Sequence, residues 1–298
     1  MAFAIAPAMQ YAHHFGAAEG NAAVYNPALS PSANRLSVNA RRPLGKYYQS
    51  LALGQDVGTA SYDTFVASIE KRLSSGLTLI GGYRWSKCLD ESESAFFAVD
   101  EYTTPNPKAD RGRCGYDIPQ QFRFSYSWQL PTPKAMGALA RNFLGGRSTS
   151  GIVVVRSGFP FSVFSGIDNS FSGINQDRAD LVGDASMPGD RSKAQQLRQW
   201  FNTAAFRSNA LGTYGSAGRN ILSGPDYADI DFSVIRSFAV PIGPKAESQK
   251  LQLRADFFNL LNHANFNNPS NTVSSSTFGR ILTAGEPRIL QLALKFVF

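Results

Sequence analysis

In the segment QFRFSYSWQL (121–130), every second residue is apolar. The odd-numbered positions from Gln121 to Gln129 are all polar, and the even-numbered positions from Phe122 to Leu130 are all aromatic or aliphatic. A β-strand points successive side chains to opposite faces, so this pattern predicts a strand with one polar face and one apolar face.

The same alternation recurs along the chain and predicts about eight strands. Clear copies of the pattern lie at residues 64–70, 77–86, 228–234, 251–257 and 290–298, and weaker copies lie at 147–157 and 46–54. No apolar run approaches the ~18 to 20 residues that a membrane-spanning helix requires. If the chain crosses a membrane, it therefore crosses as strands.

The connections between these strands alternate in length. When the strands are counted backwards from Phe298, the short connections fall at residues 74–76, 131–146 and 239–249, and the long ones fall at 89–119, 158–225 and 263–286. Transmembrane barrels have short periplasmic turns and longer extracellular loops. We therefore expect an all-β fold, an antiparallel transmembrane β-barrel of the cell outer membrane with long extracellular loops. A soluble β-sandwich also alternates along its strands, but it has no reason to alternate in loop length.

The last strand carries a further signal in RILQLALKFVF (288–298). Apolar residues stand at every second position and end in a terminal phenylalanine: Leu290, Leu292, Leu294, Phe296 and Phe298. This arrangement resembles the C-terminal signal that the barrel-assembly machinery reads. We therefore expect that machinery to be a partner of the chain.

The charge distribution indicates lipid contact and gives no support for nucleic-acid binding. The formal net charge is +7, but the basic residues are scattered singly among the strand patterns. A nucleic-acid interface would cluster them on one helix or in a tail. Scattered basic residues suit a barrel among anionic headgroups, so outer-membrane lipid and lipopolysaccharide are the expected partners.

Catalysis finds little support in the chain, and we predict that the protein is not an enzyme. The three histidines are His13, His14 and His263, and none has the spacing of a zinc site. No nucleophile motif of the Gly-x-Ser-x-Gly type is present. No cofactor is therefore expected.

Three glycines have a Gly-x-x-Gly-x-x-Gly spacing, at Gly212, Gly215 and Gly218. A phosphate loop lies between a strand and a helix. Here a strand pattern follows the triplet, so these glycines are predicted to form turns and close backbone contacts.

The only two cysteines, Cys88 and Cys114, lie at the two ends of the long connection 89–119. An exported chain enters an oxidising compartment where such a pair can form a disulfide. The bridge and a pair of free thiols both remain open, because the sequence does not show whether the two Cα atoms come close enough.

An oxygen-rich segment of the longest connection is the candidate metal site. Asp168, Asn169 and Asp177 are the residues that we select as calcium ligands if an ion binds, because calcium prefers carboxylate and amide oxygens. Their spacing matches no EF-hand loop. Solvated loop charges are the alternative.

Several phrases, taken in order, resemble the C-terminal barrel of Oar-like TonB-dependent receptors, a family of outer-membrane transporters. They include NARRPLG (39–45), SYDTFVASIEKRLSSGLTLIGGYRWSK (61–87), ADRGRCGYDIPQQFRFSYSWQLP (109–131), SGFPFSVFSGIDNS (157–170), DRADLVGD (177–184), WFNTAAF (200–206), GTYGSAGRNILSGPDYADIDFSVIRSF (212–238) and LRADFFNLLNHANF (253–266). The likeness runs from about Asn39 to Phe298 and covers most of the chain.

The resemblance implies a barrel of about 22 strands that surrounds an N-terminal plug. It also implies a TonB box before the plug, and neither feature precedes Asn39. We therefore expect residues 39–298 to be the C-terminal strands and loops of a larger barrel, and residues 1–38 to be an irregular, truncated segment. The TonB system is an expected partner only if a missing N-terminal part exists.

The expected function is that of a receptor barrel that moves a bulky solute, which the sequence does not identify. Two alternatives stay open. One is a self-contained small outer-membrane pore or structural surface protein. The other is a soluble secreted β-domain that binds carbohydrate or protein.

Overall fold

The computed structural model describes residues 2–19, 21–49, 52–73, 76–91, 106–131, 146–239 and 249–297. These residues form one large antiparallel sheet in which eight long strands follow one another in chain order. The eight are β1 (Ala2–Glu19), β2 (Ala52–Arg72), β3 (Leu77–Asp90), β5 (Gln120–Gln129), β6 (Arg147–Arg156), β11 (Tyr227–Ala239), β12 (Lys250–Phe258) and β13 (Ile289–Val297). The all-β, antiparallel prediction is confirmed.

Shorter elements lie in the connections between these strands. The helices are α1 (Pro31–Leu36), α2 (Val38–Arg41) and α3 (Lys193–Arg198), and 3-10 turns lie at Pro107–Asp110 and Thr203–Ala205. The short strands are β4 (Gly112–Arg113), β7 (Pro160–Phe161), β8 (Asp180–Leu181), β9 (Phe206–Arg207) and β10 (Leu222–Ser223). β4 extends the pairing of β3, while β7 pairs with β10 and β8 with β9.

The strand register places the apolar residues of neighbouring strands opposite one another. Phe65 of β2 faces Trp85 of β3, and Phe122 of β5 faces Tyr83 of β3. Residues that face each other in an antiparallel pair lie on the same side of the sheet. The same register continues to β13, with Val155 opposite Phe122, Phe257 opposite Phe232 and Leu290 opposite Phe257. The alternation therefore adds up to one apolar face that extends across the sheet.

This apolar face is exposed. Leu292 and Leu294 of β13 are 73% and 65% exposed, and Trp85 of β3 is 49% exposed. The opposite face is polar and carries Arg84 and Arg123, together with an Arg254–Asp256 pair at 2.7 Å. A sheet with a bare apolar face and a polar opposite face is suited to a barrel with lipid outside and water inside.

The long connections gather at one end of the sheet. Residues 21–49, 106–119, 157–226 and 259–288 lie at that end, and we call them the loop layer. The connections at the other end are short, and Gly76 turns the chain between β2 and β3 in the left-handed conformation that glycine favours (φ 75°). Ser74 and Ser75 of this predicted turn, and most of 131–146 and 239–249, lie outside the described residues. The hydrophobic core lies in the loop layer.

The N-terminal prediction is wrong in two respects. Residues 1–38 were expected to be irregular, but Ala2–Glu19 form β1, which pairs along its length with β2 and interrupts its register only between His14 and Gly16. Backbone pairing with β2 holds this strand in place, although polar and apolar residues do not alternate clearly along it. The boundary at residue 39 falls inside α2.

The weak eighth strand was placed wrongly, at 46–54. Residues 46–49 belong to the loop layer and 52–54 begin β2, so the eighth strand of the sheet is β1. The strand count of about eight is therefore correct, although one member differs from the prediction.

The two end strands of the sheet are β1 and β13, and among the described residues they are not paired with each other. The sheet is therefore open in this structure. Within the same described ranges, no helix is both long enough and apolar enough to cross a bilayer.

Candidate functional site

The loop layer is built around an aromatic cluster with Phe201 at its centre. The ring centroid of Phe201 lies 5.8 Å from that of Phe161, 5.6 Å from that of Phe206 and 5.2 Å from that of Phe278. Val163 is fully buried beside them. Two separate connections, 157–226 and 259–288, contribute to this cluster. These two connections are therefore packed together.

A disulfide anchors the connection 91–119 to the end of β3. Cys88 and Cys114 are bonded with their Cα atoms 5.4 Å apart, and both side chains are buried. The amide of Cys88 donates to Oδ1 of Asp117 at 3.1 Å, and the amide of Cys114 donates to the carbonyl oxygen of Cys88 at 3.2 Å. Of the two states that the sequence left open, the structure contains the bridge.

Buried ion pairs join this connection to the longest one. Arg178 pairs with Asp110, and the two side chains are 4% and 2% exposed. Arg219 pairs with Asp90 at the end of β3. Charges this deeply buried are tolerated only when they are paired and hydrogen-bonded, so these contacts hold the two connections in a defined relative position.

Arg113 adds a third link between the same two connections. Its Nε donates to the carbonyl oxygen of Asn220 at 2.9 Å, and another guanidinium nitrogen donates to the carbonyl oxygen of Leu222 at 2.8 Å. The side-chain amide of Asn220 donates in return to the carbonyl oxygen of Arg113 at 2.7 Å. Because Arg113 precedes Cys114, this link and the disulfide brace the same point.

The connection that follows β1 packs against the segment around Phe171. The ring of Tyr25 stacks on that of Phe171 with the centroids 5.4 Å apart, and the Arg35 guanidinium lies at the same distance from the Phe171 ring. The amide of Ala23 donates to the carbonyl oxygen of Ser172 at 3.0 Å. The loop layer therefore includes residues that were predicted to be an irregular N-terminal segment.

The predicted calcium ligands lie in this same region. Asp168 accepts hydrogen bonds from the amides of Ser172 and Gly173, at 3.2 and 3.0 Å. Asp177 accepts from the amide of Ser170 at 2.6 Å and from the side-chain amide of Asn209 at 2.9 Å. These carboxylates act as acceptors that hold a tight loop.

The third predicted ligand, Asn169, is also engaged with the protein. Its oxygen accepts from Arg35 at 3.4 Å, and its amide donates to the carbonyl oxygen of Asn209 at 2.7 Å. Within the part of the chain that the structure describes, no three His, Cys, Asp or Glu side chains are grouped to hold a metal ion. The calcium site stays a prediction.

Asp177 in the loop layer and Glu91, which directly follows β3, have pKa values shifted in opposite directions. Burial raises the pKa of Asp177, despite its hydrogen bonds from Ser170 and Asn209. For Glu91, burial also acts to raise the pKa, but hydrogen bonds from the backbone and hydroxyl of Thr59 and from Arg111 outweigh it, and the net pKa is lowered. Glu91 pairs with Arg111 at 3.1 Å and is therefore a structural anion.

The glycine triplet forms turns and close contacts in the loop layer, as predicted. Gly212 and Gly215 have φ values of 77° and 84°. A Cβ on Gly215 would overlap the carbonyl oxygen of Arg178, and one on Gly212 would overlap the ring of Tyr25. Glycine is therefore required at both positions by backbone conformation and by space.

A cavity of about 420 Å³ lies where the polar face meets the loop layer. Its lining combines the aromatic side chains of Tyr62 and Tyr116 with the charged groups of Arg84 and Asp117. A second cavity of about 550 Å³ within the loop layer is lined by Arg178 and the segment 214–218. The first cavity therefore borders the polar face, and the second lies among the loops alone.

The C-terminal residues lie where the alternation predicts. Leu290, Leu292, Leu294 and Phe296 stand on the exposed apolar side of β13. Phe298 lies outside the described residues. Recognition of this strand by the assembly machinery stays a prediction.

Sequence reasoning missed the buried arginines and their carboxylate partners. Arg178 and Asp110 are 68 residues apart, and Arg219 and Asp90 are 129 apart. The sequence signal that could have pointed to them is the recurrence of arginine beside aspartate or glycine in the loops, as in ADRGR (109–113) and NQDRAD (175–180). That signal does not identify the partners.

These features together define an outer-membrane β-barrel protein: an antiparallel sheet with an exposed apolar face, a polar opposite face, short turns at one end and long loops at the other. A family model described as "Outer membrane beta barrel domain" matches residues 9–291. The chain belongs to this family, and its location is the outer membrane. The soluble secreted β-domain is therefore excluded. A search of the curated proteins found no match.

Proposed function

We propose that this chain is the barrel portion of an Oar-like TonB-dependent receptor, which binds a bulky solute outside the cell and moves it through the barrel. The observation that carries the proposal is the construction of the loop layer. An aromatic cluster, a disulfide and buried ion pairs hold it in one shape above the polar face. A rigid outer surface of this kind serves to hold a ligand in a defined orientation.

The ordered phrases from Asn39 to Phe298 support the same proposal. Many of them coincide with structural joints of the loop layer: ADRGRC (109–114) contains Asp110, Arg113 and Cys114, and GTYGSAGRN (212–220) contains the glycine turns and Arg219. The resemblance therefore extends to the residues that shape the candidate binding surface as well as to the strands.

The TonB part of the proposal is tested by capture. Outer membranes that contain the gene product are mixed with a purified periplasmic domain of TonB, and the retained domain is quantified. Membranes from cells that lack the gene serve as the control. Retention above the control is the expected result, and equal retention in both would overturn the TonB assignment.

A self-contained small pore is the second candidate, because the sheet has eight strands in its main path and the smallest bacterial barrels have about that number. Planar-bilayer recording on the refolded chain separates the two functions. The receptor proposal predicts no stable unitary conductance from this chain alone. A stable conductance of constant size would favour the small pore.

A further inference from the structure

Three arginines come together on the polar face of the sheet. Gln121 of β5 lies directly opposite Arg84 of β3 on one side and Arg156 of β6 on the other. Arg123, two residues further along β5, is therefore a diagonal neighbour of both of these arginines. Diagonal neighbours in an antiparallel sheet have Cβ atoms roughly 7–8 Å apart, which is within the reach of long side chains. The three guanidinium groups can therefore contact one ligand beside Gln121, and we call these four residues the arginine cluster.

Two hydrogen-bond donors of the arginine cluster lack partners. The Nε atom of Arg84 is buried and has no hydrogen-bond partner in the described part of the chain. The side chain of Gln121 is only 7% exposed, and its amide makes no hydrogen bond to a described residue either. Buried polar groups in proteins are hydrogen-bonded as a rule. These donors therefore indicate a place where a ligand with oxygen acceptors binds.

Arg156 is held in position by two aromatic rings. Its Cζ atom lies 4.2 Å from the centroid of the Phe159 ring and 4.6 Å from that of the Tyr227 ring. Its Nη1 donates to the carbonyl oxygen of Ser157 at 3.4 Å. Stacking occupies the faces of the guanidinium plane, whereas the N–H groups lie within that plane. The remaining N–H groups of Arg156 are therefore oriented and able to bind an anion.

Gly82 leaves space beside the arginine cluster. It lies opposite Arg123 and has no side chain to occupy the polar face there. A Cβ at this position would meet nothing nearer than the carbonyl oxygen of Ala67, at 3.8 Å. The cavity of about 420 Å³ adjoins the cluster, because Arg84 is part of its lining. An anionic group therefore has room at the arginines, and the rest of a larger solute can extend into the cavity.

Two carboxylates near the arginine cluster do not neutralise it. Asp117 lines the same cavity, where it accepts a hydrogen bond from the amide of Cys88 at 3.1 Å and also faces the charge of Arg113. Asp229 lies on β11, one strand beyond β6, and accepts a hydrogen bond from the hydroxyl of Tyr227 at 3.3 Å. The three arginines outnumber these two acids, so the cluster keeps a net positive charge.

We propose that Arg84, Arg123 and Arg156 bind a phosphate group of the solute, with the amide of Gln121 as a further donor. The inference rests on the proposed function, because it names the chemical class of the solute that the barrel receives. Guanidinium groups bind phosphate oxygens through paired, charge-assisted hydrogen bonds. A phosphate group has three acceptor oxygens and about two negative charges, whereas a single guanidinium already satisfies both oxygens of a carboxylate. Three arginines around one point therefore favour phosphate.

Arginine-specific labelling tests this proposal. The full chain is extracted from outer membranes in detergent, transferred to phosphate-free buffer and treated with phenylglyoxal, which modifies guanidinium groups. Mass spectrometry of the digested chain then gives the modification rate of each arginine. Inorganic phosphate is the probe, and sodium chloride at equal ionic strength is the reference. At a phosphate concentration of about ten times the Kd, the rates at Arg84, Arg123 and Arg156 should fall by roughly tenfold.

Two arginines of the same chain serve as internal controls. The side chains of Arg72 and Arg207 are 80% and 69% exposed, and neither belongs to the arginine cluster. Their modification rates should be the same in phosphate and in chloride. An equal fall in rate at Arg72 and Arg207 would show a general salt effect and would overturn the proposal.

Three variants separate a built site from a positive surface. In R84Q/R123Q, phosphate should no longer slow the modification of Arg156. G82V keeps every charge but fills the space beside the arginines, so it should weaken the protection by phosphate. R254Q removes an arginine from another part of the polar face and should leave the protection unchanged.

Equal rates at the three arginines in phosphate and in chloride would overturn the proposal, and so would protection of Arg156 that persists in R84Q/R123Q. Acetate that protects as well as phosphate would overturn the choice of phosphate as the ligand. Heat-modifiable migration on gels checks that each variant is folded, and the unsubstituted chain decides where a variant does not fold. TonB capture is measured separately, so a failed capture with intact protection would count against the proposed function alone.

Discussion

The ion pair between Arg178 and Asp110 offers the sharpest test of the loop layer, because almost no solvent reaches either side chain. The substitution D110N keeps the shape of the side chain but removes its charge. The Arg178 guanidinium then stays buried beside a neutral amide. It still donates hydrogen bonds to the carbonyl oxygen of Ala217 at 2.8 Å and to that of Ala109 at 3.2 Å.

The expected cost is large. Removing one partner of a buried pair costs about 3–5 kcal/mol, since the other charge is left uncompensated. The same longest connection contains a matched control, the pair between Arg207 and Asp180. Its atoms are 3.7 Å apart and the Arg207 side chain is 69% exposed. Exposed pairs contribute about 0–1 kcal/mol, so R207Q should have little effect.

The assay is urea unfolding of the refolded chain in detergent, followed by the fluorescence of Trp200. This residue belongs to the loop layer, where its indole nitrogen donates to the carbonyl oxygen of Ser223 at 2.7 Å. A W85F/W128F background removes the other two tryptophans. With a loss of about 4 kcal/mol and a slope of about 2 kcal/mol per molar urea, the midpoint should fall by roughly 2 M in D110N.

A midpoint in D110N that equals the midpoint in R207Q would refute the assignment of this pair as a brace of the loop layer. A second measurement guards against a general effect of substitution. In the D110N/R178M variant both charges are gone, so the loss of unfolding free energy should be smaller than the sum of the two single losses. Strict additivity would contradict a direct charge interaction.

Three further predictions concern the loop layer and its junction with β3. In C88S/C114S the loss of the disulfide, whose cysteines are 26 residues apart, should lower the unfolding free energy by about 3.5 kcal/mol in the same urea assay. Reducing the unsubstituted chain with dithiothreitol should give the same loss, and equal stability of the reduced and oxidised chains would contradict the prediction. Because the folded-state pKa of Glu91 is lowered, the stabilisation that Glu91 contributes should be complete above its unfolded-state pKa and should disappear as the pH falls through the lowered folded-state pKa. The difference in unfolding free energy between the unsubstituted chain and E91Q should therefore shrink in acid, and a larger difference there would count against the assignment. G215A should lower the unfolding free energy by more than about 2 kcal/mol, because the positive φ of Gly215 and its contact with Arg178 both oppose a Cβ. G189A, with open space around the glycine, should leave the unfolding free energy unchanged, and equal urea midpoints for the two variants would contradict the prediction.

The strands could be predicted because their signal is local. Lipid on one side and water on the other impose a period of two on each segment, and QFRFSYSWQL (121–130) shows it without any knowledge of its neighbours. β1 was missed because AFAIAPAM (2–9) alternates alanine with larger apolar residues, so neither set of positions is polar. Its existence is visible only through its pairing with β2.

The loop layer could not be predicted for a different reason. Its contacts join residues that are far apart, such as Arg219 and Asp90, and no periodicity relates such partners. The cysteine pair is an exception because cysteine is rare and its chemistry is specific, so two residues sufficed to suggest one contact. Asp168 and Asp177 were selected as calcium ligands, and the amide donors that surround them were not foreseen, because backbone amides carry no sequence signature.

The two open edges of the sheet, β1 and β13, bear on how many strands the barrel has and on whether a bulky solute could pass through it. An unpaired strand edge in a bilayer costs several kcal/mol for each unsatisfied backbone group, so in the membrane β1 and β13 must pair, with each other or with further strands.

A closed barrel of eight strands has an interior that side chains just fill. The polar face already carries arginines at positions 84, 123, 156 and 254, so eight strands alone would leave no path for a bulky solute. Transport of such a solute therefore requires that further strands separate β1 from β13. The receptor proposal then predicts that a disulfide engineered between these two strands will not form in the native membrane, whereas the small-pore alternative predicts that it will.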